Sequence, residues 1–356
     1  MKNDLLDLYS DYLISSLGPT TATGLSALLE GDVSHDQVTR FLAGRQHTSA
    51  DLWQLVKPYV RQIQGEDGVI IVDDSISEKP STDENDIICW HYDHSKECQV
   101  KGINFMTALY HNQAVSLPVG FTLIAKTEVY FDSQSGIAKR RSLVSKNEYY
   151  RTMLQQAVDN QIPFRYALND SWYASAENMR FDKQTLHKDF IMPLKANRKA
   201  ARSLADKQAG KYVRVDTLVA EPNTVQEIYL EGVDFPLLLA KQVFVNEDGR
   251  RGVLYLVTSD PTLNYERLTT LYRTRWHVEP YHKSLKQNAA LAKSPTHTVC
   301  TQTNHFFASL CGYIKLELLK VATKLNHFAL KTKLYMRAIQ VAFDALRQLG
   351  PVRLSA

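Results

Sequence analysis

The chain has 356 residues, 44% of them hydrophobic and 22% charged, with a formal net charge of +4. That length suffices for two or three domains with a sizeable core. No charge-free apolar run approaches the ~18 residues of a membrane span, the acidic N-terminal KNDLLDLYSDYL lacks the long apolar stretch of a signal peptide, and four cysteines do not make the disulfide framework of a small secreted domain.

Residues 1–64 read as helical, with LLDLYSDYLISSL, TATGLSALLEG, SHDQVTRFLAG and SADLWQLVKPYVRQIQ in turn. Ser34 with Gln37 forms a capping box for a short helix through Leu42. The two short helices around GDVS suit either a helix-turn-helix or a plain helical bundle, and the acidic balance of residues 1–60, 4 Lys and Arg against 7 Asp and Glu, counts against the first. GEDG at 65–68 marks a boundary. Strands are expected near 69–73, 101–110 and 114–125, a helix near 146–159, a strand near 165–169, a helix near 174–184 and a strand near 188–194. Residues 210–258 hold β-rich runs, YVRVDTLV, VQEIYLEGV, PLLLAKQVFV and GVLYLVTS. HFFASLCGYIKLELLKV and later segments read as amphipathic helices, and there is no internal repeat.

Three acids stand out. Val69 to Val72 is an uninterrupted β-branched run, as in a strand covered on both faces, and it ends in Asp73 and Asp74. Tyr166 to Leu168 leads into Asp170, which would also serve as a helix cap or turn former. In LYRTRWHVEPYHKSLKQN, offsets of 3, 7 and 14 bring Tyr272, Arg275, Glu279 and Lys286 within a stripe about 60° wide on a helix. A phenol, a guanidinium, a carboxylate and an ammonium on one stripe suit a surface that grips phosphate while the carboxylate holds a metal; a solvated charged face is the plain alternative. Pro280 follows Glu279 directly and is expected to kink the stripe at its middle.

These residues resemble the DDE transposases of bacterial insertion sequences, specifically the YREK, insertion-sequence-four type. Tyr272, Arg275, Glu279 and Lys286 match its Tyr-x2-Arg-x3-Glu-x6-Lys motif, and VDDS around Asp73, HYDHSK from His91 to Lys96, NDSWY around Asp170 and LKANRK from Leu194 to Lys199 are similar to the family. The resemblance runs from about Val69 to the C-terminus. It implies an α/β fold with an RNase H-like catalytic core, an inserted β-rich domain and helical N- and C-terminal regions. The corresponding domains are 1–64, helical with a candidate helix-turn-helix; 65–209, first part of the core; 210–258, the insertion; 259–300, core completion with the catalytic helix; and 301–356, a helical C-terminal region.

By the same resemblance, Asp73, Asp170 and Glu279 are catalytic and bind two Mg²⁺ ions, with Mn²⁺ as substitute. Hard oxygen ligands favour such cations. Asp74 is the alternative to Asp73, since strand alternation sends the two to opposite faces; the spacing to Ser75 favours Asp73. Arg275 and Lys286 would contact phosphates and Tyr272 the DNA backbone. The implied activity is cleavage at the ends of the element and joining of the 3′-ends to target DNA. Its partners are double-stranded DNA, as terminal inverted repeats and as target, and a second copy in the DNA complex.

Charge distribution agrees. Residues 261–356 carry 14 Lys and Arg against 4 Asp and Glu, which favours them as a phosphate-binding surface. Lys195, Arg198, Lys199, Arg202 and Lys207 form a second basic cluster after FIMPLK, of which Lys195, Arg198 and Lys199 are taken as DNA contacts; solvated loop charge is the alternative. A cytoplasmic, nucleoid-associated bacterial protein fits these features. Two competing readings remain: a catalytically silent DNA-binding protein that kept the fold, and a zinc site at Cys89, His91, His94 and Cys98, whose C-x-H-x2-H-x3-C spacing is unlike paired knuckles. Trp172 and Trp276 have faces able to stack on an unpaired base, but core packing is the commoner use of tryptophan, and neither is counted as a site residue.

Overall fold

Four helices open the chain: α1 (Leu5–Ser15), then α2 (Ala22–Leu28), α3 (His35–Leu42) and α4 (Ser49–Ile63), capped by Thr21, Ser34 and Thr48. The Ser34–Gln37 capping box forms as expected, and Thr48 with Asp51 makes a second one for α4. The computed structural model describes residues 5–349 apart from 95, 134–135, 219–220, 222, 246–248 and 250. Residues 1–4 and 350–356 of the expected terminal helical regions, and 219–220, 222, 246–248 and 250 of the expected insertion, lie outside the described residues.

Strands follow: β1 (Val69–Glu78), β2 (Ile88–Asp93), β3 (Cys98–Asn112), β4 (Val115–Leu123), β5 (Glu128–Asp132) and β6 (Ile137–Arg141). After α5 (Lys146–Asp159) come β7 (Tyr166–Leu168), α6 (Ala176–Arg180) with a π-helical turn Phe181–Thr185, β8 (Asp189–Leu194), β9 (Lys199–Ala201) and α7 (Leu204–Gln208). The chain continues through β10 (Val213–Arg214), β11 (Val225–Leu230), β12 (Leu237–Val245) and β13 (Arg251–Thr258), then α8 (Tyr265–Arg273), a 3₁₀ turn Thr274–His277, α9 (Val278–Gln287), α10 (Val299–Thr323) and α11 (His327–Gln348).

The chain divides into two compact units, one of residues 1–47, 77–85 and 281–356, the other of 48–76 and 86–280. In the first, Tyr9, Leu13, Leu25, Val38, Leu42, Ala290 and Ala308 form a shared apolar core. Two buried contacts there are Tyr9 Oη with His305 Nδ1 at 3.0 Å, and His327 between Ser284 Oγ and Glu317 Oε2, 2.8 Å to each.

The second unit is built on a mixed sheet in the order β10-β9-β11-β12-β13-β8-β7-β1-β3-β2, with β4 on β3. β1 with β7 and β7 with β8 run parallel. Val69 to Val72 are fully covered, as a continuous β-branched run at the centre of such a sheet requires. The β-rich runs of 210–258 pair onto β8 through β13 and so continue this sheet. α4 packs here through Leu52, Trp53, Val56 and Val60, and its first residue is pinned to β4 by Ser49 Oγ, which donates to the Phe121 carbonyl and accepts from the Phe121 amide.

Candidate active site

The parallel register of β1 with β7 pairs Ile71 with Leu168, so Asp73, still within β1, and Asp170, just past the end of β7, lie side by side, each two residues further along. Asp170 ends up in a tight turn: its Oδ1 accepts from the Trp172 amide at 2.9 Å, an Asx-type bond that fixes the carboxylate. It does not cap the next helix. α6 begins later and is capped by Ser175.

Asp73 is crowded and dry. Burial, and after it the charges of Asp170 and Asp74, raise its pKa to about 8, while Arg275 opposes the rise. Burial also raises Asp170, against the Trp172 amide bond. Asp74 is already engaged, with Oδ1 accepting from Tyr173 Oη at 2.7 Å and Oδ2 from Lys146 Nζ at 2.6 Å and Asn104 Nδ2 at 3.3 Å. It therefore ties β1 to β3, to the first residue of α5 and to the loop that carries Asp170. Lys146, Tyr173 and Asn104 were not singled out from the sequence. The available signals were an Asn within the apolar run GINFM and a Lys just inside the Ser145–Glu148 capping box.

The expected single helix from Tyr272 to Lys286 is broken. Tyr272 lies on α8, Arg275 in the 3₁₀ turn, and Glu279 and Lys286 on α9. The break precedes Pro280, which sits in the first turn of α9, where backbone amides have no intrahelical acceptor to lose. The proline thus starts a helix where a mid-stripe kink was expected. Arg275 is buried, with one terminal nitrogen 3.8 Å from Asp73 Oδ2 and 4.0 Å from Glu279 Oε1. Its guanidinium also stacks on Trp276 and Tyr272, 4.7 and 5.8 Å from their centroids, and its Nε has no hydrogen-bond partner among the described residues. Tyr272 is buried, which pushes its phenol up to about 12, and its hydroxyl donates to the Asn169 carbonyl at 3.5 Å.

Glu279 differs from the strand acids in exposure: its side chain is 55% exposed, against 16% for Asp73. Among the described residues no three His, Cys, Asp or Glu side chains converge as a finished metal cage, and this includes the Cys89, His91, His94 and Cys98 cluster. There Cys89 and His91 are buried in β2, Cys98 is exposed at the start of β3, and neither cysteine is in a disulfide. The acids themselves suit a hard cation chemically: neighbouring carboxylates, with Asp73 raised by burial first and then by the charges of Asp170 and Asp74. Lys286 is half-buried on the last turn of α9 and belongs to the first unit.

Of the second basic cluster, Arg198 is drawn inward, donating to the Ala174 carbonyl at 2.6 Å. Lys195 lies over the Trp172 ring at 5.9 Å, and Lys199 is exposed on β9. Neither tryptophan is in the core: Trp172 is 51% and Trp276 57% exposed.

The family model described as "DDE superfamily endonuclease" matches residues 2–228. That span includes Asp73 and Asp170 and ends before Glu279. A search of curated proteins gives no match. Among solved structures, the Drosophila P element transposase strand transfer complex aligns with a TM-score of 0.27 at 10% identity, over 53% of this chain and 36% of that one. No helix among the described residues is long and apolar enough to cross a membrane.

Proposed function

The chain belongs to the DDE superfamily endonuclease family, and from that premise we propose that it is a DNA transposase of the YREK, insertion-sequence-four type. It cleaves at the ends of its element and joins the 3′-ends to target DNA, using an RNase H-like core at 65–209 and 259–300 interrupted by the 210–258 insertion. The carrying observation is the placement of Asp73 and Asp170 side by side on parallel strands, beside the buried Arg275.

Members of this superfamily typically work with divalent metals, and the oxygen donors here fit Mg²⁺, or Mn²⁺ in its place. Asp73, Asp170 and Glu279 would hold two ions, which when bound supply an activated water and stabilise the leaving oxygen. Asp73 is assigned over Asp74 because both Asp74 oxygens already accept hydrogen bonds from side-chain donors, whereas Asp73 accepts the Asp74 amide at Oδ1 and otherwise meets the charges of Asp170, Asp74 and Arg275. Arg275, within 4.0 Å of Asp73 and Glu279, holds those carboxylates in place and offers a charge to an incoming phosphate. Tyr272 supports the Asp170 turn through the Asn169 carbonyl and contacts the DNA backbone. Lys286, Lys195, Arg198 and Lys199 neutralise phosphates. The partners are duplex DNA with terminal inverted repeats, target DNA, and a second copy in the complex that holds both ends, in the bacterial cytoplasm at the nucleoid.

The test is cleavage and joining of a duplex bearing the repeats that flank the gene, with Mg²⁺ and with EDTA. The reading expects nicked and joined products with Mg²⁺ alone. Tight binding with no product in either would favour the second reading, a catalytically silent DNA-binding protein, which the exposed Glu279 carboxylate supports.

A further inference from the structure

Arg275 faces all three acids that the proposed reaction uses. One terminal nitrogen lies 3.8 Å from Asp73 Oδ2 and 4.0 Å from Glu279 Oε1, and its charge pulls the carboxyls of both Asp73 and Asp170 below the level that burial would set. The side chain is buried, so solvent and salt screen this charge little.

Yet the guanidinium is locked onto neither Asp73 nor Glu279. An arginine built permanently into a carboxylate pair makes charge-assisted bonds of about 2.7–2.9 Å, frequently two in parallel. Here the 3.8 and 4.0 Å separations exceed hydrogen-bond length, and the buried Nε has no hydrogen-bond partner among the described residues. The flat group rests instead against the Trp276 and Tyr272 rings, contacts that are less directional than paired hydrogen bonds. A divalent ion held by the same carboxylate oxygens would meet this positive charge at close range, where like charges oppose each other strongly. Guanidinium and metal are therefore rivals for one set of oxygens.

We propose that Arg275 is a place-holding cation: while no DNA is bound it neutralises Asp73 and Glu279 in the metal's stead and keeps the affinity of these acids for divalent ions low. This rests on the reading of Asp73, Asp170 and Glu279 as metal ligands. It gives Arg275 an effect on metal binding opposite in sign to that of a brace, since a residue that merely held the ligands in position would strengthen metal binding by its presence.

Mn²⁺ binding to the DNA-free protein, read from the loss of the free-ion paramagnetic resonance signal, tests this with no cleavage step. The wild type is expected to bind weakly. Arg275→Gln removes the charge and should bind about tenfold or more tightly, whereas Arg275→Lys keeps a charge and should stay close to the wild type. Adding Asp73→Asn to Arg275→Gln should abolish the gain, which assigns the ion to these acids. Circular dichroism melts report that each variant is folded. A folded Arg275→Gln with unchanged or weaker affinity overturns the proposal, as does Arg275→Lys binding as tightly as Arg275→Gln, or a gain that survives Asp73→Asn. Wild-type binding in the ~micromolar range overturns it without any variant. A gain in Arg275→Gln with no Mg²⁺-dependent cleavage by the wild type strikes the transposase reading alone; cleavage with no such gain strikes the place-holder alone.

Discussion

Asp73 and Asp170 differ from Glu279 in how the chain holds them. The strand acids are fixed by a parallel register, by an Asx turn and by the ties from Asp74; Glu279 projects into solvent from the first turn of a short helix, one residue before the boundary between the compact units at Pro280 and Tyr281. Two of the proposed ligands are built into the sheet and its adjoining turn, and the third is exposed, with Arg275 4.0 Å away. This is the arrangement expected where substrate or metal completes a site, since apo geometry at such groups is commonly loose.

The comparison breaks most visibly if the strand acids are dispensable. Asp73→Asn and Asp170→Asn should each lower Mg²⁺-dependent cleavage by about 10²-fold or more, the scale of losing a metal ligand's share of charge stabilisation, with DNA binding retained. Glu279→Gln should do the same to cleavage but leave the melting temperature of the free protein unchanged, because its side chain is exposed.

Tyr173→Phe is expected to act next. It removes the 2.7 Å bond to Asp74, and a lost hydrogen bond to a charged acceptor costs about 1.5–3 kcal/mol. Chemical denaturation should show that loss, and cleavage should fall with it as the Asp170 loop slackens. Unchanged stability would mean that Asp74 does not tie this loop down.

A smaller effect concerns the floor beneath Asp170. Asp182 is fully buried in the π-helical turn, accepts from Tyr150 Oη at 2.7 Å, and through Tyr150 meets Asn169. Burial raises its pKa to about 8, against the Tyr150 bond and Arg151. A carboxyl raised on folding favours the native state while protonated, so its contribution is full below the ordinary value near 4 and is lost as pH rises through about 8. Asp182→Asn should therefore flatten the fall in thermal stability across that window. A pH profile identical to the wild type would show that Asp182 is ionised throughout.

Pro280→Ala should be nearly silent. A proline in a first turn sacrifices no intrahelical bond, so the change should stay within about 1 kcal/mol. A stabilisation near ~3 kcal/mol would mean that the proline interrupts a longer helix after all.

The same contrast separates what the sequence reveals from what it hides. β1 and β7 are legible because apolar β-branched residues run unbroken into an acid, which few other contexts produce. The Ser34–Gln37 box is legible because capping is local. The break at Thr274–His277 is hidden, since a four-residue 3₁₀ turn contains no breaker and barely disturbs the angular spacing of the motif. β2 is absent from the expected strands because CWHYD mixes polar and apolar residues, and β5 and β6 are absent because most of their side chains face solvent. The strands of 210–258 are visible, but their pairing onto β8 depends on distant partners that no local pattern encodes.

The most direct test of the account replaces one strand acid by a softer ligand. In Asp73→Cys, a thiolate prefers Mn²⁺ to Mg²⁺, so cleavage of the repeat-bearing duplex should be lost with Mg²⁺ and recover by about tenfold or more with Mn²⁺. Asp74→Cys should show no such selectivity. Equal silence of Asp73→Cys in both ions with DNA binding intact, or Mn²⁺ rescue of Asp74→Cys instead, would contradict the assignment of Asp73 as a metal ligand.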